Sequence, residues 1–298
     1  MTDSGERGEH DPPRGPAPAP TAAVGNGKAD TGGQQIDWHN HSTWSDGGGT
    51  VAEIARRAAA RGITLGLSDH GLRDNRRLRT PEQLAAYLND LEPYDVLRGL
   101  EITVGDLQPG VSLDAFDYVI GSLHHVHLPQ GVVSAVRYLN WRAGIYPSYD
   151  PSFPPAQLDR RIYFDAWLRD LEATCRRWPV TILGHFCLLP EHANARGTYV
   201  LDDEPEPDAT AAAWLDATIE LCIRYDVAIE LNSKSRVPSS HTVKRALRLG
   251  ARFSLGSDSH DLRRAGDVSY GRELAHRLGI PPSRFIGASR ARHPAPTK

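Results

Sequence analysis

Residues 37–48 read DWHNHSTWSDGG. His39 and His41 are separated by one residue, and Asp46 follows five positions after the second. Alternate side chains of an extended chain share a face, so both imidazoles point to the same side and can reach one cation. The run QIDWH that leads into them reads as a first strand. A strand ending in a histidine pair decides the fold, because comparable endings recur along the chain.

From Ile36 onward, short apolar runs alternate with amphipathic stretches, which predicts an α/β fold. TVAEIARRAAARG reads as a helix with Thr50 as N-cap, Glu53 completing a capping box and Gly62 just past its end. ITLGLSDH is the next strand. TPEQLAAYLNDL is a helix capped by Thr80, with Pro81 in the first turn. Further strands are predicted at DVLRGLEI, FDYVIGSLHH, PVTILGHF, DVAIELN and RFSLGSD. Helices are predicted over 160–178, 208–225 and 240–250, with a last one over 270–279 before RFIGAS.

Each predicted strand ends in a residue able to bind metal or move a proton. The first leads to His39 and His41, the second to Asp69 and His70, the third to Glu101, and the fourth to His124 and His125. His185 follows, then Glu230 with Asn232, and finally Asp258 with His260. In parallel α/β sheets and barrels the C-terminal strand ends share one face, where active sites gather. One buried histidine is ordinarily a satisfied core residue, and that reading gives no reason for histidines to recur at strand ends beside Asp and Glu. Borderline divalent metals take such nitrogen and oxygen donors, and no cysteine sits in these motifs.

Composition narrows the class. The 298 residues are 40% hydrophobic, enough for a sizeable core, and no apolar run approaches the ~20 residues that span a bilayer. The N-terminus shows no basic segment followed by an apolar one, so no secretory signal is expected. With 34 basic and 37 acidic residues, net charge −3, a nucleic-acid partner is not indicated. The three cysteines are isolated and form no CxxC pair, which suits a reducing, cytoplasmic setting. Residues 1–35 carry five prolines and seven glycines but no Ile, Leu, Phe, Trp or Tyr, and are expected to be a disordered tail ahead of a catalytic domain over 36–298. The aromatic, proline-rich stretch 126–160 lies between two ligand-bearing strands, where an insertion can cover the site as a lid or simply pack on the surface.

HNHSTWSDG, LSDHG, GLEI, DYVIGSLH, ILGH, IELNS and LGSDSH, in that order, resemble the PHP (polymerase and histidinol phosphatase) superfamily. They are most similar to its stand-alone, histidinol-phosphatase-like phosphoesterases. The resemblance covers residues 36–290. It implies a distorted (β/α)7 barrel whose C-terminal strand ends carry three divalent metal ions, with zinc, manganese and iron all compatible with the donors. Carried over by residue, His39 and His41 would hold one ion with Glu101 and Asp258. Glu101 would bridge to a second ion held by His124 and His185. Asp46, His70 and His260 would hold the third.

Such a centre implies phosphomonoester hydrolysis of a small metabolite, such as histidinol phosphate, a nucleotide or a sugar phosphate. A water bridging the metals would be activated near neutral pH while the cations neutralise phosphate oxygens. Asp258, His260 or the neighbouring His125 would pass a proton to the leaving group. Lys234 and Arg236, just past a ligand-bearing strand, are the candidate phosphate contacts, with Asn232 as a further substrate contact. Asn232 and Glu230 could equally support the metal shell, and Asp69 could either orient a ligand histidine or cap a turn. Competing classes are a metal-dependent amidohydrolase, a nuclease and a non-catalytic metal-binding module. The amidohydrolase pattern does not call for SDH, GLEI and GSDSH, a basic stripe for a nuclease is missing, and all nine ligand positions are filled.

Overall fold

The computed structural model describes residues 35–128, 131–134, 160–186 and 209–290. The expected tail over 1–35, apart from its last residue, and most of the 126–160 insertion lie outside the described residues.

Nine strands are described: β1 (Ile36–Asp37), β2 (Thr64–Leu67), β3 (Val96–Thr103), β4 (Tyr118–Ser122), β5 (His125–Leu128), β6 (Gly131–Ser134), β7 (Ile182–Gly184), β8 (Ala228–Asn232) and β9 (Phe253–Gly256). Seven form one sheet in the order β1-β2-β3-β4-β7-β8-β9, with each neighbouring pair parallel, while β5 and β6 form a separate antiparallel hairpin. The sheet curls until its ends meet. Trp38 N donates to Leu255 O at 2.9 Å, His41 N donates to Ser259 O at 3.0 Å, and Asn40 bridges Ser259 in parallel. The seven predicted strands are the seven barrel strands, and the architecture is the distorted (β/α)7 barrel expected.

Helices α1 (Val51–Ala60), α2 (Pro81–Leu91), α3 (Arg160–Arg177), α4 (Ala209–Arg224) and α5 (Ser240–Leu249) lie between strands, and α6 (Ser269–Arg277) follows β9. Local sequence sets their ends. Thr50 and Glu53 form the predicted capping box, and Thr80 forms one with Gln83 behind Pro81. A large apolar cluster packs helices onto the barrel, including Ile54, Leu67, Trp167, Ile219 and Leu255. A second, smaller one, with Ile36, Trp38, Tyr118, Ile120, Ile182 and Ala228, packs residues of four barrel strands together. Tyr118 donates its hydroxyl to Trp38 O at 2.6 Å, and its ring occupies space that side chains on Gly66 and Gly99 would take.

One predicted boundary shifts. The fourth strand was expected to run through His125, but β4 stops at Ser122 and His124 N folds back onto Ser122 O at 3.1 Å. That turn breaks the ladder between the two histidines and lets His125 open the β5–β6 hairpin. The hairpin is the part of the expected insertion that the structure describes. Among the described residues, no helix is long and apolar enough to cross a membrane.

Candidate metal centre

The strand ends deliver all nine predicted ligands to one place. The ligand atoms fall into close groups: His39, His41 and Asp258; Glu101, His124 and His185; and Asp46, His70 and His260 joined by His41. A further group of His70, Asp74 and His124 was not anticipated. Parallel register explains part of this, since His70 bridges Glu101 directly across neighbouring strands.

Glu101 is the hub. Its carboxylate is fully buried and lies 3.3 Å from His39 Nε2, 3.5 Å from His41 Nε2, 2.8 Å from His70 Nδ1, 3.4 Å from His124 Nε2 and 3.2 Å from His185 Nε2. Asp258 approaches His41 Nε2 and His260 Nδ1 at 3.5 and 3.4 Å. Asp46, from the loop after β1, reaches His260 Nε2 at 3.2 Å and His70 Nε2 at 3.6 Å. So Asp46 serves a different group from the one its neighbours His39 and His41 share with Asp258.

Carboxylates behind the imidazoles fix which ring nitrogen faces inward. Glu230 Oε1 lies 2.7 Å from His39 Nδ1, so that nitrogen donates outward and Nε2 faces Glu101. The same acid accepts from His185 N at 2.9 Å and from Asn232 Nδ2 at 3.0 Å. Asp74, on the short turn after His70, lies 3.0 Å from His124 Nδ1 and also meets the Thr103 hydroxyl. Asp69 touches none of the histidines among its hydrogen bonds: it accepts from the backbone and hydroxyls of Ser42 and Ser45 and holds the loop that carries Asp46. Of its two predicted roles, this is the turn-capping one.

The donor chemistry suits cations. His41 Nδ1 and Nε2, His39 Nε2 and His185 Nδ1 are buried without a hydrogen-bond partner. Leaving that many polar atoms unpaired inside a protein is expensive, and coordination to metal ions satisfies them together. Burial pushes His41 down to about 3, which keeps its imidazole neutral and able to ligate at physiological pH. Burial opposes ionisation of Glu101 and Asp258, but the surrounding imidazoles outweigh it and hold both well below the carboxylate range. His185 and Asp258 have positive φ values of 22° and 49°, backbone conformations that cost energy in a non-glycine residue and gather at functional sites.

The remaining predicted residues are placed as follows. Lys234 Nζ lies 3.2 Å from Asp258 Oδ1 and 3.1 Å from His260 Nδ1, at the rim of the cluster. Asn232 directs its amide onto Glu230 and Asp258, which makes it a brace for two carboxylates. Arg236 is exposed, and its guanidinium lies 5.3 Å from the Tyr270 ring centre. His125 is half-buried, with Nδ1 3.8 Å from Asp74 Oδ1, and burial holds its pKa below the usual value. Sequence reading missed Asp74 and Asp37. Asp37 is fully buried at the end of β1 and accepts from His39 N, Ser257 N and Gly266 N, tying the first and last barrel strands together.

Residues 37–234 match the model of the PHP domain. The chain belongs to the PHP domain family. It is 24% identical over 240 residues to a probable histidinol-phosphatase of Thermotoga maritima, covering 78% of this chain and 86% of the relative. It is 23% identical over 253 residues to the DNA polymerase/3'-5' exonuclease PolX of Bacillus subtilis, covering 81% of this chain and only 37% of that longer protein. Among solved structures, a histidinol phosphate phosphatase from Lactococcus lactis, complexed with zinc, L-histidinol and phosphate, superposes with a TM-score of 0.54 at 19% identity. That superposition covers 83% of this chain and 95% of the other, and establishes the shared fold.

Proposed function

We propose that this PHP-domain chain is a metal-dependent phosphoesterase that hydrolyses a small phosphomonoester at the strand-end cluster. One observation carries the reading: a fully buried Glu101 lies within hydrogen-bond or ion-pair distance of five imidazoles, and several of those donor atoms have no other partner. Three divalent cations, zinc, manganese or iron, would be held by the three expected sets, with His41 close enough to serve two of them. When bound, they would supply Lewis acidity and an activated water for attack on phosphorus.

The protein's own groups supply the rest. Glu230 and Asp74 hold the Nδ1 atoms of His39 and His124, which orients the Nε2 of each inward. Asn232 anchors Asp258 and Glu230, so the constellation is preorganised rather than assembled by substrate. The Lys234 ammonium, beside Asp258 and His260, is the cation best placed to meet a phosphate oxygen and to steady the departing alkoxide. With its pKa lowered, His125 is mostly neutral at pH 7 and suits hydrogen bonding to substrate better than acid catalysis.

Candidate substrates are histidinol phosphate, nucleotides and sugar phosphates. The test is release of inorganic phosphate from such a panel, with and without chelator, alongside His39→Ala and Asp258→Ala. Release abolished by chelation, restored by manganese or zinc and lost in both variants supports the reading. No release from protein that contains about three metal ions per chain sinks it.

A further inference from the structure

Beside the metal cluster lies a second set of polar groups that the reaction described above does not use. Asp170, on α3, accepts from the backbone N of His127 at 3.0 Å and lies 2.9 Å from its Nδ1. Its other oxygen accepts from Arg169 Nε and Nη2, and Arg169 also bonds the His127 carbonyl. The far side of the imidazole, Nε2, lies 2.7 Å from Arg73 Nη1. A guanidinium can only donate, so Nε2 must be the acceptor, and the ring proton sits on Nδ1 facing Asp170. The chain Asp170–His127–Arg73 is therefore directional: an acid fixes a neutral imidazole, and the imidazole aims a guanidinium.

Other arginines are held in two ways. Arg61, Arg77 and Arg177 reach backbone carbonyls. Arg98, Arg169, Arg245, Arg252 and Arg263 each pair with a carboxylate. Among the described residues no carboxylate lies within ion-pair distance of the Arg73 guanidinium, and only Nη1 is engaged by a side chain. Its backbone is fixed as well, because Arg73 N donates to Asp106 Oδ2 at 2.7 Å. A neutral partner fixes direction without cancelling charge, which leaves a full positive charge and two donor nitrogens for something else.

Position says what. Arg73 and Asp74 are adjacent on the short turn after His70, and they meet alternate residues of one strand, β5: Arg73 meets His127, and Asp74 approaches His125 while holding His124. Alternate residues share a strand face, so Arg73 sits one step outward from the candidate metal centre on the same wall. The side chain is exposed.

Resting on the phosphoesterase reading, we propose that Arg73 is an anion-binding residue of this site, gripping an anionic oxygen of the substrate, and that His127 with Asp170 is the device that positions it. The arrangement selects substrates that present negative charge beside the metal-bound group.

The test uses the metal-loaded full chain and reads two quantities: the Kd for inorganic phosphate by calorimetry, and kcat and KM for the best ester of the panel. Arg73→Ala should weaken phosphate binding and raise KM by about ten-fold or more, with metal content and melting temperature unchanged. His127→Phe, which keeps the ring but removes the acceptor, should fall in the same direction. His127→Gln, which restores an acceptor near Nε2, should recover part of the loss. Arg73→Ala within two-fold of wild type in both quantities overturns the proposal, as does loss of metal in every variant. If wild type binds phosphate through Arg73 yet releases none from any ester, the phosphoesterase reading fails and the anion site stands. If it binds no phosphate, both fail.

Discussion

A methyl group added at Gly256 should damage the metal centre from behind. Gly256 ends β9, two residues before Asp258, and its face abuts the Glu230 side chain. A Cβ built there lies 2.9 Å from the Glu230 carboxyl carbon and 2.9 Å from His39 Cβ, and nearer still to Glu230 Oε1, where ordinary contact begins at 3.4 Å. Neither neighbour has room to yield. Glu230 is buried and pinned by His39 Nδ1, His185 N and Asn232 Nδ2, so clearing the methyl costs at least one of those bonds or shifts β9 and Asp258 with it. Overpacking of this kind costs about 1–3 kcal/mol, and a lost hydrogen bond to a charged group about 1.5–3 kcal/mol more. At about 2–4 °C per kcal/mol for a domain of this size, Gly256→Ala should melt about 10 °C lower. Loosening the acid behind His39 should also weaken metal affinity about 10–100-fold. Calorimetric melting of the chelated protein reads the first effect, and metal titration followed by metal analysis reads the second. A variant that melts with wild type and binds metal as tightly would refute the account of Glu230 as a fixed brace.

Three other outcomes follow from the same structure. Chelation should lower the melting temperature, because binding to the native state alone adds about 4 kcal/mol at a thousand times Kd; equal melting of loaded and stripped protein would count against the centre. Asp37→Asn should destabilise by about 1–3 kcal/mol in a denaturant titration, since an amide nitrogen replaces an acceptor facing either Gly266 N or Ser257 N. Burial pushes Asp37 up to about 6 from 3.8, so the native state holds more protons than the unfolded chain between those values. Wild type should therefore gain stability relative to Asp37→Asn as pH falls through that window, and a pH-independent difference would contradict the assignment. Cys175 and Cys222 are buried, and burial pushes the Cys175 thiol up to about 12. An aromatic disulfide reagent at pH 8 should leave both untouched in folded protein and titrate all three cysteines after denaturation.

What could be read from the sequence was what parallel sheets make local. Strand cores such as YVIGS and FSLG are apolar on both faces, and their polar residues collect at one end, so the barrel and its nine inward residues were legible in one dimension. The capping boxes at Thr50 and Thr80 were equally local. Other features depend on which side of a turn a residue leaves from. Asp74 is one of several acids in loops, and only the backbone of the turn after His70, with Leu72 at φ 55°, aims it at His124. The partner of His127 is equally hidden in one dimension, because the break at His124 starts the hairpin that lies against α3 and Asp170. Arg236, beside Lys234 in sequence, leaves its loop toward Tyr270 while Lys234 leaves toward Asp258.

The barrel is closed by its two ends. His39 and His41 come from the first strand and Asp258 and His260 from the segment after the last, and they share ligand groups once Trp38 and Asn40 dock on Leu255 and Ser259. During synthesis, a chain released after β8 would own most of the imidazoles yet lack Asp258 and His260, and with them two of the three expected sets. The complete cluster is therefore withheld from any product that stops before Asp258. The contacts that complete it are among the most distant along the chain, which makes them late and slow to form. The complete cluster reports that the chain has been made through its last barrel strand and that the barrel has closed.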